Sequence, residues 1–353
     1  MTRYPRFTAA AAHIAPIFHD TERTIDKACE VIAEAAGRGA RIVAFPESFV
    51  PGFPVWAGIV APIRTHDFFK QLAAAAILVE GPELKRVRDA ARQHDVYVSL
   101  GFTEGTTASV GCLWNANVLI GPDGAILNHH RKLVPTFYEK LVWANGDGGG
   151  LRVCDTDIGR VGMLICGENT NPLARYTLMA QGEQVHVSTY PPVWPTRPAS
   201  DGENYDLAQA IRIRAGAHAF EAKAFNIVAS APYDATMRAA MAPLGKEALA
   251  VLDASPKGVS MVIDPTGSVI GAVQSDREGL VYADIDVARC VEPKRFHDVV
   301  GYYNRFDIFK LTVDRSANRP IQFEPDEQPS PHAEPVDVVR PMDKDLTPAA
   351  AQP

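Results

Sequence analysis

Three residues in the first half of this 353-residue chain have side chains that could together perform covalent catalysis: Cys166, Glu47 and Lys132. Cys166 ends an apolar run that predicts a buried strand, and Asn171 with Pro172 then predicts the start of a helix. Unpaired N–H groups and positive potential at a helix N-terminus lower a thiol pKa and stabilise an oxyanion. Cys166 is therefore a candidate nucleophile, and the alternative is a small buried core residue.

A nucleophilic thiol also needs a group that accepts its proton. Glu47 lies in a strongly apolar segment, where desolvation raises a carboxyl pKa toward the value of a general base, although it could instead be a rim carboxylate. His129 and His130 are the other candidates, and at most one can face a given pocket because neighbours on a strand point to opposite faces. Lys132 follows them and places a cation at the end of the same predicted strand, where a lysine is most often simply exposed.

The elements that must position these residues alternate between predicted strands and helices. Predicted strands cover Phe7–Ile14, Arg41–Phe45, Val96–Phe102, Leu113–Ile120, Ala125–Leu133, Leu151–Asp155, Val161–Cys166, Gln184–Thr189, Asn226–Ala231, a hairpin within Val259–Val273, and Leu280–Ile285. Predicted helices run from Asp20 to Gly37, from Glu83 to His94, from near Asn171, and from Tyr205 to Phe225. Helices between strands, together with hairpins at the two Gly- and Pro-containing turns, predict an α/β fold with mixed sheets.

Composition excludes several classes of protein. With 35 Lys+Arg against 42 Asp+Glu, a net charge of -7 and no basic block, the chain lacks the electrostatic pattern of a nucleic-acid binder. Apolar stretches such as Leu72–Val79 are shorter than the roughly 20 residues of a membrane helix. No charged-then-apolar leader pattern is apparent at the start, so we predict a cytoplasmic protein without nucleic-acid or membrane partners.

The pattern favours one domain over residues 1–323, followed by a tail. Residues 324–353 combine Pro with Asp and Glu and have little apolar periodicity, which predicts a disordered segment. The five cysteines are scattered without a CxxC pair, so neither a disulfide framework nor a zinc site is indicated. With no ligand cluster or phosphate-binding glycine loop in the sequence either, we expect no metal and no organic cofactor.

Taken together, three motifs resemble the catalytic triad of the nitrilase superfamily of carbon–nitrogen hydrolases. They are Glu47 in FPE, Lys132 in HRKL and Cys166 in ICGEN. The longer strings at residues 45–56 and 130–143 are similar to the nitrilase branch rather than to the amidase or carbamoylase branches. The resemblance extends from about residue 7 to about residue 315. One departure is Gly167, because many members of that branch carry Trp directly after the nucleophile.

The resemblance implies a four-layer α-β-β-α sandwich whose subunits pair through helices, often going on to form spiral oligomers. We therefore expect a homo-oligomer. It also implies roles: Glu47 as general base, Lys132 as the cation that stabilises the tetrahedral intermediate, Cys166 as nucleophile, and Glu139 as a second glutamate that helps to hold the site. Pocket residues implied by the resemblance are Phe53, Thr136, Trp143, Gly167, Tyr190 and Trp194, although each aromatic could equally serve ordinary core or dimer packing.

The implied reaction is hydrolysis of a nitrile to a carboxylic acid and ammonia through a thioimidate and then a thioester. Because Gly167 stands where many members carry Trp, no indole lies beside the reacting carbon. This predicts room for arylaliphatic or medium aliphatic nitriles. The same residues would also serve a cyanide-degrading enzyme, an amide-releasing hydratase or an amidase. A catalytically silent relative that acts as a scaffold is the remaining alternative.

Overall fold

A computed structural model of the chain describes residues 4–318. The strands are β1 Arg6–His13, β2 Ala40–Ala44, β3 Tyr97–Glu104, β4 Trp114–Ile120, β5 Ile126–Arg131, β6 Cys154–Thr156, β7 Gly159–Ile165, β8 Val185–Thr189, β9 Phe225–Ala229, β10 Ser260–Ile263, β11 Val269–Gln274 and β12 Gly279–Asp286. The helices are α1 Thr21–Gly37, α2 His66–Ala75, α3 Pro82–His94, α4 Pro172–Met179, α5 Leu207–Ala222, α6 Ala235–Ala240, α7 Lys246–Ala254 and α8 Val291–Lys294. The predicted tail, residues 324–353, lies outside the described residues.

The strands form two six-stranded mixed sheets. The first has the order β12-β1-β2-β3-β4-β5, and the second has the order β11-β10-β9-β8-β7-β6. In each sheet three neighbouring strands run parallel, β1-β2-β3 in the first and β7-β8-β9 in the second, and antiparallel strands extend both sides. Mixed pairing was predicted from the hairpins and is confirmed.

Successive side chains of a strand point to opposite faces of its sheet, so each sheet has one face toward the other sheet and one face toward helices. Ala9 and Ile42 of the first sheet pack in one apolar cluster with Met163, Val187 and Ile227 of the second, so this cluster forms the layer between the sheets. The opposite faces of the strands are covered by helices. The first sheet packs against α1 and α3, and the second packs against α4 and α5. The four-layer α-β-β-α sandwich implied by the resemblance is therefore confirmed.

Most strands lie within a few residues of their predicted bounds, and Asp20 caps α1 by accepting the Arg23 N–H. The sequence analysis missed α2, α6, α7 and α8. Residues of α2, α6 and α7 pack in one cluster with Trp56 and Trp143, on the side of the molecule that holds the loops after the strands. Within residues 4–318, every helix is too short or too polar to span a bilayer.

Candidate active site

Glu47 comes just after β2, where Pro46 prevents the strand from continuing. Its side chain is completely buried, and Oε1 accepts hydrogen bonds from Asn115 Nδ2 at 2.7 Å and from Lys132 Nζ at 2.6 Å. Among the described residues, Oε2 has no hydrogen-bond partner. Burial raises the pKa of Glu47 to about 7, because the attraction of Lys132 only partly offsets it and Glu139 adds repulsion. A carboxyl group with this pKa can exchange a proton near neutral pH.

Lys132 follows the last residue of β5 and is also completely buried. Its ammonium lies 2.6 Å from Glu47 Oε1 and 2.6 Å from Glu139 Oε2. Burial alone would lower the pKa of Lys132, but the attraction of Glu139 and Glu47 outweighs it and keeps that pKa above its usual value. Lys132 is therefore a permanent cation shared by two carboxylates.

Cys166 follows β7 and begins a 3₁₀ turn, Cys166–Thr170, at a φ of 49°. A non-glycine residue in this left-handed region costs roughly 1–3 kcal/mol and needs support from its surroundings. Burial raises the pKa of the Cys166 thiol well above its usual value, and Glu47 raises it further, while Lys132 and Arg214 act in the opposite direction. The expectation that this pKa is lowered is therefore wrong, because burial and the charge of Glu47 outweigh the opposing charges of Lys132 and Arg214. The resting side chain is a neutral thiol that needs a base.

The structure brings these residues together from separate segments of the chain. Ligand-type atoms of Glu47, Glu139 and Cys166 all lie within 4.8 Å of one another. Such a set could hold a metal ion, but the Lys132 ammonium already bridges the two carboxylates. The arrangement is suited to proton transfer from a thiol to a carboxylate, with a cation at hand to stabilise developing negative charge.

The histidine alternatives pair with other carboxylates. His129 Nε2 lies 2.7 Å from Glu104, and His130 Nε2 lies 2.9 Å from Glu168. The two rings point to opposite faces of β5, as expected for neighbours on a strand. Both rings are thus paired with carboxylates outside the triad, whereas a Glu47 oxygen lies within 4.8 Å of the Cys166 sulfur, which supports Glu47 as the group that receives the thiol proton.

Glu168 also belongs to the site, although the sequence did not single it out. Its carboxylate accepts the Leu133 N–H at 2.6 Å, the Ile165 N–H at 2.8 Å and His130 Nε2 at 2.9 Å. Burial would raise the pKa of Glu168, but His130 and the two N–H groups outweigh it and lower that pKa. Since Leu133 follows Lys132 and Ile165 precedes Cys166, Glu168 ties the two sheets together beside both residues. Its position two residues after Cys166 was the only signal available in the sequence.

Comparison with known proteins agrees with this geometry. The family model described as carbon-nitrogen hydrolase matches residues 8–295. The chain belongs to the carbon-nitrogen hydrolase family. It is 34% identical to a cyanide hydratase of Gibberella zeae over 325 residues, covering 88% of this chain and 87% of that protein. It is also 34% identical to a nitrilase of Paraburkholderia phymatum over 320 residues, covering 89% and 88% respectively.

Solved structures support the fold of this carbon-nitrogen hydrolase. The NitFhit protein of C. elegans superposes with a TM-score of 0.67 and 20% identity, covering 90% of this chain and 70% of that one. Nit3 of Saccharomyces cerevisiae, a member of branch 10 of the nitrilase superfamily, gives a TM-score of 0.65 and 16% identity, covering 86% and 97%. At these identities the likeness concerns the fold alone.

The aromatic residues expected around the pocket form two connected groups in this hydrolase. Phe53 and Trp143 pack edge to face with ring centres 5.5 Å apart, in a cluster that includes Tyr138. Tyr190 packs in the cluster that contains Cys166. Trp194 contacts both clusters and stacks on Tyr138 at 5.3 Å. Tyr190 and Trp194 therefore share the apolar cluster of Cys166, whereas Phe53 and Trp143 lie in the neighbouring cluster, which Trp194 also contacts.

Gly167 does not face the empty space that the sequence analysis expected. A Cβ atom at this position would lie 2.6 Å from Thr136 Oγ1. Thr136 is held in place because its N–H donates to Glu139 Oε2 at 2.9 Å. The space beside Gly167 is thus occupied by the Thr136 hydroxyl, and the argument that glycine enlarges the pocket at this point is wrong.

This contact generates a prediction for Gly167→Ala. The new methyl group must displace Thr136, which hydrogen-bonds to Glu139 and so affects the position of Lys132. We expect turnover to fall by roughly tenfold, since small displacements of reacting groups have large kinetic effects. Adding Thr136→Ala removes the collision and should restore most of the rate. Equal rates for wild type and Gly167→Ala would contradict this reading of the contact.

A second prediction concerns pH. Because the pKa of Glu47 is about 7, the carboxylate that can accept a proton is lost as the pH falls below 7. We expect kcat/KM to decrease about tenfold for each pH unit on that acid side. Glu47→Gln, which is nearly isosteric, should be at least about 100-fold slower at every pH. A wild-type kcat/KM that stays constant from about pH 5 to 8 would exclude Glu47 as the base.

Proposed function

We propose that this protein is a nitrilase that converts an organic nitrile into the carboxylic acid and ammonia. The observation that carries the proposal is the convergence of the Cys166 thiol with Glu47, Glu139 and the Lys132 ammonium between them. Relatives named nitrilase and cyanide hydratase, each aligned over almost the whole chain, support nitriles as the substrate class.

In the proposed reaction, Glu47 accepts the thiol proton as the Cys166 sulfur forms a bond to the nitrile carbon. The nitrogen gains that proton, and a covalent thioimidate results. Water then adds to the same carbon, with Glu47 again accepting a proton, and the nitrogen leaves as ammonia to give a thioester. A second water releases the acid and regenerates the thiol. Lys132 and the N–H of Gly167 would stabilise the negative charge that develops at each addition.

Alternative outcomes depend on how the same intermediate decomposes. Relatives at the same identity are named cyanide hydratase, which favours an amide-forming reaction on cyanide as the second candidate. An amidase would use the same residues on a carbon that already carries oxygen. Parallel assays of ammonia, amide and acid with cyanide, organic nitriles and amides separate these outcomes. The scaffold alternative is disfavoured because Lys132 is paired with both Glu47 and Glu139, and oxygens of these two residues lie within 4.8 Å of the Cys166 sulfur.

The substrate class remains a prediction. Arylaliphatic or medium aliphatic nitriles were expected because of Gly167, and Thr136 now fills the space beside that residue. The aromatic residues around Trp194 still offer apolar contact area for such groups. The cytoplasmic location likewise stays a prediction.

We also propose a homo-oligomer, at least a dimer. Large apolar side chains are exposed on α4, on α5 and in the segment after α8: Leu173, Ile213, Phe220, Phe296, Tyr302, Tyr303, Phe306, Ile308, Phe309 and Leu311. Leu173, Phe306, Ile308, Phe309 and Leu311 line one groove. Exposed apolar area of this kind marks an interaction surface, and a second copy of the chain is the occupant implied by the resemblance.

Cys166→Ala should lower nitrile turnover by roughly 10³-fold or more, because no other group can form the covalent intermediate. Intact-mass measurement of samples quenched during turnover should show an acyl adduct on the wild type and none on this variant. Cys290→Ala is the matched control, since Cys290 is equally buried but lies in the core between the sheets. Near-normal turnover by folded Cys166→Ala would rule out the proposed mechanism.

Leu173→Asp should reduce the particle mass measured by light scattering, because it places a charge in the apolar groove. Val110→Asp is the control, as Val110 is 99% exposed and lies outside that groove. A fully active wild-type monomer at micromolar concentration would be incompatible with the proposed oligomer.

A further inference from the structure

A second buried polar cluster lies behind the nucleophile. Glu183 Oε1 is 2.7 Å from His186 Nδ1, and Glu183 Oε2 is 2.6 Å from His218 Nε2. All three side chains are completely buried, and the two imidazole rings stack with centres 3.7 Å apart. The reaction proposed above uses none of them. Buried groups of this kind destabilise a fold unless each is paired, so their presence requires an explanation.

The geometry of the cluster argues against a metal ion. Ligand atoms bound to one zinc ion at about 2.0–2.1 Å in a tetrahedral site lie more than 3 Å apart. The Glu183–His186 and Glu183–His218 contacts are shorter than this and match direct hydrogen bonds. In addition, stacked rings direct their nitrogen lone pairs side by side rather than toward a common point.

Hydrogen bonds orient the polar groups of the cluster. Asn169 Nδ2 donates to two carbonyl groups, so its Oδ1 accepts from His186 Nε2 at 2.9 Å. Both ring nitrogens of His186 therefore face acceptors, Nε2 toward Asn169 and Nδ1 toward the Glu183 carboxylate. Burial would raise the pKa of Glu183, but His186 and the hydrogen bonds from both histidines outweigh it and lower that pKa to about 2. Burial, followed by the charge of His186, lowers the pKa of His218 to about 4, which leaves that ring neutral.

The cluster is connected directly to the backbone of the nucleophile. Asn169 Nδ2 donates to the carbonyl oxygen of Cys166 at 3.1 Å and to that of Leu164 at 3.3 Å. These two carbonyls lie on either side of the change from β7 to the left-handed conformation of Cys166. A continuous chain of hydrogen bonds thus runs from His218 through Glu183, His186 and Asn169 to Cys166.

The sequence of β7 is adapted to this cluster. A Cβ atom at Gly162 would lie 2.0 Å from Glu183 Oε1, so only glycine leaves room for the carboxylate at its present position. Gly162 is otherwise unfavourable in the centre of a strand, since glycine contributes no side-chain packing there. The strand that carries Cys166 thus contains a glycine that accommodates Glu183.

We propose that Glu183, His186 and His218 are positioning residues that act through Asn169 to hold the Cys166 backbone in its reactive conformation. The proposal rests on the nitrilase activity proposed above. It assigns the cluster an effect on the rate of the covalent step and none on substrate binding, because the hydrogen bonds of the three side chains lead to Asn169 and not to an expected pocket residue.

Two substitutions at one position separate hydrogen bonding from packing. Gln can present a donor nitrogen close to the position of His218 Nε2, whereas Leu has a similar volume and no donor. We expect His218→Gln to keep kcat within about threefold of wild type and His218→Leu to lose about tenfold or more, both with unchanged KM. Glu183→Gln, which keeps the shape but removes the charge, should fall between them.

The control is a buried histidine elsewhere in the fold. His13 is fully buried and hydrogen-bonds to Ser260 and Ser275, and neither contact leads to Cys166. His13→Leu should lower the melting temperature while leaving kcat per folded molecule unchanged. If His218→Leu has the same kcat as wild type and only its melting temperature is lower, the role of the cluster is purely structural. That result would overturn the proposal.

A readout without nitrile completes the test. The rate at which iodoacetamide alkylates Cys166, measured by site-specific mass spectrometry, should fall in His218→Leu and not in His218→Gln. If wild type shows no nitrile turnover, the proposed function fails while the alkylation rates still decide this proposal. Should His218→Leu not fold, Gly162→Ala, which displaces Glu183 without removing a polar group, must show the slower alkylation. Unchanged alkylation in that variant, or one equivalent of zinc in the purified wild type, would contradict the proposal.

Discussion

The burial of one ammonium group between two carboxylates determines the rest of the site. Lys132 is fully enclosed, and its nitrogen lies 2.6 Å from both Glu47 and Glu139. Removing one partner from a buried ion pair costs about 3–5 kcal/mol, so the three side chains depend on one another. They come from the end of β2, the end of β5 and the turn after it, which means that the strand ends must meet correctly before the charges are satisfied. Folding and assembly of the site are therefore linked by this ion pair.

Two other buried glutamates explain why Glu47 is the carboxylate suited to proton transfer: Glu168 within the Cys166 turn, and Glu183, which is linked to that turn through His186. Glu168 accepts three hydrogen bonds and Glu183 is held by two histidines, and in both the pKa is lowered despite burial. Glu47 must share its cation with Glu139, and its Oε2 has no partner among the described residues, so burial prevails and raises the pKa to about 7. Incomplete hydrogen bonding thus distinguishes the reactive carboxylate from the two that support it.

Features of the site that depend on neighbouring residues in the sequence could be predicted, whereas features that depend on residues distant in the sequence could not. Pro46 and the apolar residues around Glu47 correctly predicted a strand end and a raised carboxyl pKa. The predicted direction of the Cys166 pKa shift was wrong, because burial by residues remote in sequence and the charge of Glu47 outweigh the cations that lower this pKa. Glu183 was missed because its partner His218 is 35 residues away, on a helix whose buried face looked like ordinary packing.

The same excess of negative charge affects the thiol and its base together. Burial raises the pKa of both Glu47 and Cys166. Repulsion from neighbouring carboxylates raises them further, because one lysine only partly offsets the charge of two glutamates. A resting thiolate would add a further negative charge to a buried site, whereas transfer of the thiol proton to Glu47 during attack leaves the total charge unchanged. The charge then passes to the substrate nitrogen, within reach of a lysine that is never deprotonated. Burial therefore delays ionisation of the thiol until an electrophile is present to take up the charge.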